Sequence, residues 1–324
     1  MSATAINQRS DRDVTEDTRR SESQFQQVIH RLVRKKIAMA ALVVIIVIYG
    51  AGIFAPLLAP YSYTAINLDR GLEGPSSDHW FGTDRLGRDM FSRTLYSART
   101  TVVVTTAVVL SGSLLIGNTL GLIAGYRGGW VDGLIMRLGD IFSSLPGLIM
   151  LILITTTLGR RVEDGARWVE QHTFIDGIVS SGFHSYLLVF GALSLFFWIG
   201  AARVIRAQVL QLRENDFIVA AESSGATPAR VIRSHLLPNV AFLIILSVSA
   251  TLGGIAGSEI VLTWFGVGVQ PPAASFGAMI FEGSGARTFQ AHPHLLLVPG
   301  TVVVMLLFAF NLFGDALNDA FRGR

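Results

Sequence analysis

Few residues in this 324-residue chain combine the side-chain types and the spacing that ligand binding or catalysis needs. Glu259 lies near the end of an apolar run, and an ionisable group in or beside a membrane is a candidate functional residue. An equally open alternative is that Glu259 sits at the wet interface and fixes the following loop. Trp264 and Phe265 follow it and are candidates for a transport path or gate. His292 and His294 suggest a metal pair, although two imidazoles beside a proline are more typical of a solvated loop.

The signature motifs of several enzyme classes are missing from the sequence. The lysines are Lys35 and Lys36, and neither follows a glycine, so the sequence has no Gly-Lys-Ser/Thr phosphate loop. The zinc motif His-Glu-x-x-His and the nucleophile motif Gly-x-Ser-x-Gly are absent as well. The sequence has no cysteine, which excludes disulfides and thiolate metal sites. We therefore expect a protein that is not an enzyme and that binds no cofactor or metal.

The composition indicates a membrane protein, since apolar residues make up 51% of the chain and charged residues only 15%. The formal net charge of +3 is too small to indicate a nucleic-acid partner. The uncharged run 37–58 is long enough to cross a membrane. A basic cluster precedes this run, which places the N-terminus in the cytoplasm by the positive-inside rule. The cluster consists of Arg31, Arg34, Lys35 and Lys36.

Five further apolar runs complete a prediction of six transmembrane helices in an all-α integral membrane protein. With six spans, the C-terminus also lies in the cytoplasm. Arg137 and Asp140 are close enough along the third span to pair on one helix face, and Pro146 should kink that span. The five further spans are predicted at 101–125, 134–158, 186–205, 240–258 and 295–315.

The chain divides into three predicted regions. Residues 1–28 are polar, with almost no large apolar residue, and are expected to form a disordered cytoplasmic tail. Residues 29–100 contain the first span, an extracytoplasmic loop and an amphipathic interfacial helix within 79–101. Residues 101–324 form the core, with the other five spans.

A polar island from Phe217 to Asn239 separates the predicted spans four and five and has a strongly specified local shape. Ala220 and Ala221 are small, good helix formers, and their size lets another surface approach closely. Gly225 is the residue type with which a chain leaves a helix through a left-handed turn. The island should therefore begin as a helix that ends at a sharp turn.

The second half of the island predicts another helix. Thr227 and Pro228 form an N-cap and first-turn pair. This helix must stop before Pro238, because a proline ring disfavours helical geometry in the residue before it. Together with Arg230, which offers charge to a partner, the island makes a compact cytoplasmic elbow. A DNA-binding helix-turn-helix has a similar outline, but two arginines and no lysine are too few for a phosphate footprint.

The island resembles the signature loop of the permease subunits of ABC importers. That loop carries Glu-Ala-Ala, a glycine four residues after the second alanine, and an Ile-x-Leu-Pro ending. Val219 stands where many members have glutamate, and His235 stands at the isoleucine position, as is common in peptide-type members. The matching residues are Ala220, Ala221, Gly225, Leu237 and Pro238.

Two more stretches are similar to the peptide-type permeases of this superfamily, and the resemblance covers roughly residues 30–320. The stretch 258–280 is similar to their loop between the last two spans. A Gly-Thr-Asp-x-x-Gly-Arg-Asp motif precedes their second span, and we interpret it as an anchor for that span rather than a substrate contact. Its residues here are Gly82, Thr83, Asp84, Gly87, Arg88 and Asp89.

The resemblance implies a type I ABC importer permease, the C-type of two paired permeases, in the cell membrane of a prokaryote. It implies a second, paralogous permease, two cytoplasmic ATPase subunits, an extracytoplasmic substrate-binding protein and membrane lipid as partners. Di- or oligopeptides are the expected substrates, with nickel complexes, glutathione and oligosaccharides as alternatives. An ion-gradient-driven secondary transporter is the rival class. The expected coupling loop is 213–239, with ATPase contacts from Ala220, Ala221, Glu222, Gly225, Ala226, Pro228, Arg230, Leu237 and Pro238.

Overall fold

The computed structural model describes residues 24–174 and 176–322, and within these ranges the chain is built from helices without a β-strand. An isolated bridge pairs Thr83 with Asp89. The main helices are α1 (Gln24–Arg34), α2 (Lys36–Ile53), α3 (Ala55–Leu58), α4 (Met90–Arg127), α5 (Gly129–Ser144), α6 (Gly147–His172), α7 (Phe183–Leu212), α8 (Asp216–Ser223), α9 (Pro228–Trp264), α10 (Phe276–Gly283), α11 (Ala286–Ala291) and α12 (His294–Arg322).

Five helices in the described ranges are long and apolar enough to cross a membrane, namely α2, α4, α7, α9 and α12. Helices α5 and α6 pass the same test together, but their axes meet at 90°. They make a sixth span if the bent pair counts as one. The predicted all-α integral membrane class is therefore confirmed, while the count of six spans depends on the bent pair.

The predicted third span, 134–158, is two helices rather than one kinked helix. Helix α5 ends at Ser144, Leu145 has an extended backbone with φ −96° and ψ 144°, and α6 starts after Pro146. Proline disfavours helical geometry in the residue before it and lacks the backbone N–H that would continue the helix. Because Leu145 takes the extended conformation, the chain turns by 90° at this point.

Helix α4 is longer than the predicted second span, 101–125, and contains much of the predicted interfacial helix 79–101. It begins where the Asp89 carboxylate caps it, accepting a hydrogen bond from the Ser92 N–H at 2.7 Å. The residues before this cap form turns rather than a helix. Within α4, the segment Val109–Gly117 has wider, π-helical turns.

Helix α9 runs through Pro238, so the prediction that the second helix of the elbow stops before this residue is wrong. The segment Ile232–Leu236 directly before it is π-helical, which widens the turn. The wider turn relieves the clash between the proline ring and the preceding carbonyl groups that breaks a regular α-helix. The Asn239 side-chain amide donates to the His235 carbonyl at 2.6 Å and satisfies one backbone acceptor in this turn.

The folded chain begins before the predicted boundary between residues 28 and 29. Helix α1 starts at Gln24, so residues 24–28 of the predicted disordered tail are helical, whereas residues 1–23 lie outside the described ranges. Val28 is buried in one apolar cluster with Leu317 and Ala320 of α12. Tertiary packing of an apolar face, more than sequence propensity, stabilises a short helix of this kind.

Helices α4 and α7 pack with closely approaching backbones. Helix α4 presents Gly117, Gly121 and Gly125 to α7, and a Cβ atom added to Gly121 would lie 2.7 Å from the Ala202 carbonyl oxygen. Small residues in such a row let two membrane helices approach closely. The contact fixes the position of α7, which leads into α8, against α4.

A Gly121→Ala substitution should lower the thermal stability of the purified protein, because the added methyl group meets the Ala202 carbonyl. Overpacking of this kind costs about 1–3 kcal/mol. The matched control is Gly200→Ala on α7, where an added Cβ has no neighbour within 4 Å. Thermal unfolding in detergent should show a lower midpoint for the Gly121 variant alone. Equal midpoints for the two variants would contradict the close backbone contact.

Candidate coupling elbow and transport path

The turn between α8 and α9 is built around Gly225, whose backbone is left-handed with φ +84°. The Gly225 N–H donates to the Glu222 carbonyl at 2.9 Å, and the Ala226 N–H donates to the Ala221 carbonyl at 3.0 Å. These two bonds satisfy carbonyl groups at the end of α8 in the Schellman arrangement. Helix α8 therefore ends beside the glycine that the sequence indicates.

Helix α9 begins at Pro228, the residue that the sequence places in the first turn. Thr227 takes the extended backbone of an N-cap residue, with φ −68° and ψ 151°, and its carbonyl accepts the Val231 N–H at 3.0 Å. The Thr227 side chain makes no capping hydrogen bond, so the expected side-chain cap is not formed. Because proline at the first position already has a helical φ, the helix starts without that bond.

The inner face of the elbow, α8 and the first turns of α9, is anchored by the buried side chains of Ile218, Val231 and Leu236. The Tyr126 hydroxyl at the end of α4 also donates to Glu222 Oε1 at 2.8 Å. Full burial of each large apolar side chain stabilises the contact by about 1.5–3 kcal/mol. The elbow is therefore held against the ends of α4 and α7. Its apolar partners are Leu122, Ile205, Val209 and Val240.

The outer face of the elbow is open and partly apolar. Phe217 and Val219 of α8 expose 43% and 52% of their surface. Exposed apolar side chains on an ordered surface are typical of a binding site. Of the predicted coupling residues, Ala221 and Ala226 are partly buried. The exposed ones are Ala220, Glu222, Gly225, Pro228, Arg230, Leu237 and Pro238.

Val219 departs from the family pattern, and Phe217 is not among the predicted coupling residues. The spacing of these residues in the sequence indicates that both could be exposed on the elbow. Phe217, Ile218 and Val219 are consecutive in a helix, and consecutive side chains point about 100° apart around the axis. A helix that buries Ile218 on its inner side must therefore expose part of this apolar run.

Ion pairs join the elbow-side half of α7 to α5. Arg206 makes a two-point contact with Asp132, with Nη2 2.5 Å from Oδ2, and Arg203 Nη2 donates to Asp140 Oδ1 at 2.7 Å. The pairing expected between Arg137 and Asp140 within α5 is replaced by this contact between helices. The ion pairs add to the apolar contacts that connect the elbow to the spans.

Glu259, a candidate path residue, is fully buried within α9 rather than placed at a wet interface. Its carboxylate accepts hydrogen bonds from the Thr101 hydroxyl at 3.3 Å and from the Thr263 hydroxyl at 3.2 Å. The Thr263 hydroxyl in turn accepts the Val269 N–H at 3.2 Å. Glu259 thus connects α4 to the loop after α9.

Trp264 and Phe265, the other candidates for a path or gate, lie at the end of α9 and are both exposed. Their rings meet edge to face with centroids 4.9 Å apart, and the Trp264 ring lies 6.4 Å from that of Phe281 in α10. The backbone of Gly266 is left-handed, with φ +78°, and turns the chain directly after them. These two aromatic side chains are the accessible members of the candidate path set.

The Gly-Thr-Asp motif contributes to a charge cluster around the buried Asp84 and Arg93. We call this cluster the charge clamp, and its other members are the partly exposed Arg88 and Glu282. The Asp84 side chain is 2% exposed, and its Oδ2 accepts from Arg88 Nε at 2.6 Å and from Arg93 Nη1. Arg93 also donates to the two Glu282 oxygens at 2.6 and 3.1 Å. Because Glu282 belongs to α10, the clamp ties the start of α4 to the segment between α9 and α12.

His292 and His294 lie near this clamp. Their rings meet edge to face with centroids 6.1 Å apart, and His294 Nε2 lies 3.4 Å from the Thr83 carbonyl oxygen. In the described ranges no group of three or more histidine, cysteine or acidic side chains is arranged to hold a metal ion. His294 thus contacts the loop before α4, and the two imidazoles contact each other.

Comparison with known families identifies the class of this protein. Residues 117–324 match the family described as the binding-protein-dependent transport system inner membrane component, and the chain belongs to this family. Residues 23–75 match the N-terminal transmembrane domain of oligopeptide transport permease C. The expected family is thus confirmed, and the second match agrees with the C-type of the paired permeases.

Curated relatives cover nearly the whole chain. It is 33% identical over 308 residues to the oligopeptide transport system permease protein OppC of Bacillus subtilis, covering 95% of this chain and 92% of the relative. It is 33% identical over 315 residues to the dipeptide transport system permease protein DppC of the same organism, covering 97% and 90%. It is also 32% identical over 291 residues to the glutathione transport system permease protein GsiD of Pectobacterium atrosepticum, covering 90% and 88%.

Proposed function

We propose that this chain is a transmembrane permease subunit of an ATP-driven importer for di- or oligopeptides. It forms the translocation path with a second, paralogous permease. The observation that carries the proposal is the elbow, whose inner face is anchored to the spans and whose outer face is open. The names of the relatives with 33% identity support peptides as the substrate class.

The elbow is the docking contact for a cytoplasmic ATPase subunit in this proposal. A partner that moves against Phe217, Val219 and Ala220 also moves α8 and the start of α9. Because Ile218 and Leu236 are buried against α4 and α7, the displacement passes to the spans as a rigid-body shift. Two such ATPases on two permeases would open the path alternately to the two sides of the membrane.

The contacts at the helix ends support a cytoplasmic location for both termini and for the elbow. Lys35 Nζ before α2 pairs with Asp319 Oδ2 near the end of α12 at 3.0 Å. The Phe242 ring, shortly after the elbow, lies 5.5 Å from the Phe321 ring. These contacts support one shared side of the membrane for the three regions, and the basic residues around Lys35 favour the cytoplasm as that side.

The proposed function is tested by uptake into proteoliposomes that hold this chain, its paired permease and the ATPase subunits, with the binding protein added outside. Labelled dipeptide should enter only with ATP available to the ATPases, and dissipating ion gradients with ionophores should not reduce uptake. The purified chain alone should hydrolyse no ATP, since it has no phosphate loop.

A complex inactivated by substitution of the phosphate-loop lysine in the ATPase subunits is the matched control. Uptake that persists in this control and disappears with ionophores would identify a gradient-driven secondary transporter instead. ATP-driven uptake of nickel, glutathione or an oligosaccharide, without competition by dipeptides, would contradict the assignment of peptides as substrates.

A further inference from the structure

A cleft of about 370 Å³ lies near the start of α4, far from the elbow. Arg99 in this cleft and Tyr126 at the elbow lie about 40 Å apart along α4, since a helix rises about 1.5 Å per residue. The cleft is therefore on the side of the membrane from which an importer receives its substrate. Its walls come from α4, α7, the loop before α4 and the loop after α9.

The polar groups of the cleft come from three tyrosines, one arginine, Thr100 and Ser181. The rings of Tyr63 and Tyr96 stack with centroids 4.0 Å apart, and the Arg99 guanidinium lies 6.0 Å from the Tyr96 ring centroid. The Tyr186 and Thr100 hydroxyls share a hydrogen bond of 2.8 Å, and the Thr100 hydroxyl donates to the Ala274 carbonyl at 2.6 Å. The aromatic wall is thus fixed to the loop that follows α9.

The hydrogen-bond donors in the cleft that are available to a ligand are those without a partner elsewhere in the chain. Within residues 24–174 and 176–322, the exposed Arg99 has no ion pair and no hydrogen bond to the chain, and neither do the Tyr63 and Tyr96 hydroxyls. The other arginines near the start of α4 differ, since Arg88 and Arg93 are held in the charge clamp and Arg85 donates to the Thr288 hydroxyl at 2.6 Å.

The charge state of Tyr63 suits a hydrogen-bond donor. Burial raises the pKa of the Tyr63 hydroxyl above its usual value, and the neighbouring Tyr96 adds to this effect, while the positive charge of Arg99 opposes it. The hydroxyl therefore stays protonated at neutral pH. A guanidinium with adjacent phenol hydroxyls is a donor set for a carboxylate, because charge-assisted hydrogen bonds from arginine to carboxylates are strong and directional.

We propose that Arg99, with Tyr63 and Tyr96, binds the carboxylate of the transported peptide as it enters the path. This inference rests on the proposed function of peptide import. A free peptide carries a terminal carboxylate whatever its sequence, so a single guanidinium serves many side-chain compositions. The stacked tyrosine rings offer flat apolar surface to peptide side chains without selecting one of them.

The loop after α9 connects this cleft to the candidate path residues. Ala273 and Ala274 line the cleft, while Trp264 and Phe265 lie at the end of α9, where the same loop starts. The buried Glu259 holds this loop through the Thr263 hydroxyl. A peptide held by its carboxylate at Arg99 therefore lies beside the segment that leads to the exposed aromatic pair.

The test compares uptake of a labelled dipeptide with uptake of its C-terminal amide by the reconstituted complex. Arg99→Gln should lower uptake of the free acid about tenfold or more at limiting concentration and should leave uptake of the amide unchanged, because only the acid loses a charge-assisted bond. Arg99→Lys should retain part of the activity toward the acid. Arg85→Gln, outside the cleft, should change neither. The same binding protein is used with every variant, so its own preference for the acid or the amide does not affect the comparison between variants.

A second measurement needs no binding protein. A cysteine at Val103, an exposed cleft residue in a chain without native cysteines, should react with maleimide more slowly when millimolar dipeptide is present. The amide should give no protection, and the Arg99→Gln background should abolish the protection by the acid.

Two outcomes overturn the proposal while leaving peptide import intact. An equal loss of acid and amide uptake in Arg99→Gln would indicate that the guanidinium contacts a carboxylate of the binding protein instead. Unchanged uptake of both compounds would show that the cleft binds no substrate carboxylate. Protection of the Val103 cysteine by the amide as well as the acid would contradict the proposal too. If the wild-type complex imports no peptide at all, the proposed function fails and this inference fails with it.

Discussion

A Gly225→Val substitution is expected to leave the assembled complex able to hydrolyse ATP while it lowers peptide uptake about tenfold or more. The Gly225 backbone has φ +84°, and a side chain with a Cβ in this conformation costs about 1–2 kcal/mol. An added Cβ has no neighbour within 4 Å, so the cost is conformational rather than a clash. Relief of the strain breaks the two hydrogen bonds that end α8 and turns its outer face away from the partner. A loss of about 1.4 kcal/mol in a productive contact corresponds to the tenfold effect.

Ser223→Val is the matched control, because Ser223 is exposed, lies on the same short helix and has a helical backbone. Both variants should insert and assemble, since the apolar spans are unchanged. The quantity to compare is the number of peptides imported per ATP hydrolysed. Equal ratios for the two variants would show that the left-handed turn at Gly225 has no part in coupling.

An Asp84→Asn substitution should produce the largest loss of stability predicted here. Asn keeps the size of the side chain and an oxygen that can accept the Leu86 and Arg88 N–H groups, as Asp84 Oδ1 does at 2.8 and 3.0 Å. It removes the charge that faces Arg93, whose side chain is only 4% exposed. Removing one partner of a buried ion pair costs about 3–5 kcal/mol. Glu282 still pairs with Arg93 in the variant, so we expect a loss at the lower end of this range.

The control for this prediction is Asp78→Asn, which removes an acid from the same loop. Asp78 pairs with Arg70 at 3.2 Å, but its side chain is 63% exposed, and surface pairs contribute only about 0–1 kcal/mol. Thermal unfolding in detergent should therefore give a much lower midpoint for the Asp84 variant and a nearly unchanged one for the Asp78 variant. Similar midpoints would show that the charge clamp does not hold the start of α4.

Local features of this chain could be predicted from the sequence where a residue type strongly favours one backbone conformation. Gly225 is left-handed and Pro228 starts a helix, and each effect involves only a few neighbouring residues. The membrane class also follows from composition alone. Pro238 shows the limit of such local rules, since a π-helical turn before it lets the helix continue.

Contacts between distant segments could not be predicted in this way. The motif around Asp84 was visible, but its link to Glu282 depends on how α4 packs against α10, which no local pattern contains. Asp140 has a suitable partner three residues away and yet pairs with Arg203 of another helix. The burial of Glu259 likewise follows from the packing of α4 against α9.

Cross-linking from the elbow shows whether this surface docks an ATPase subunit. Single cysteines at Ala220 on the elbow and at Ser77 in the loop before α4 carry a photoactivatable maleimide, in a chain that has no native cysteine. Both positions are exposed, so both should be labelled equally. We expect that irradiation of the assembled complex links the Ala220 position to an ATPase subunit and the Ser77 position to none. No adduct from Ala220, or an ATPase adduct from Ser77, would contradict it.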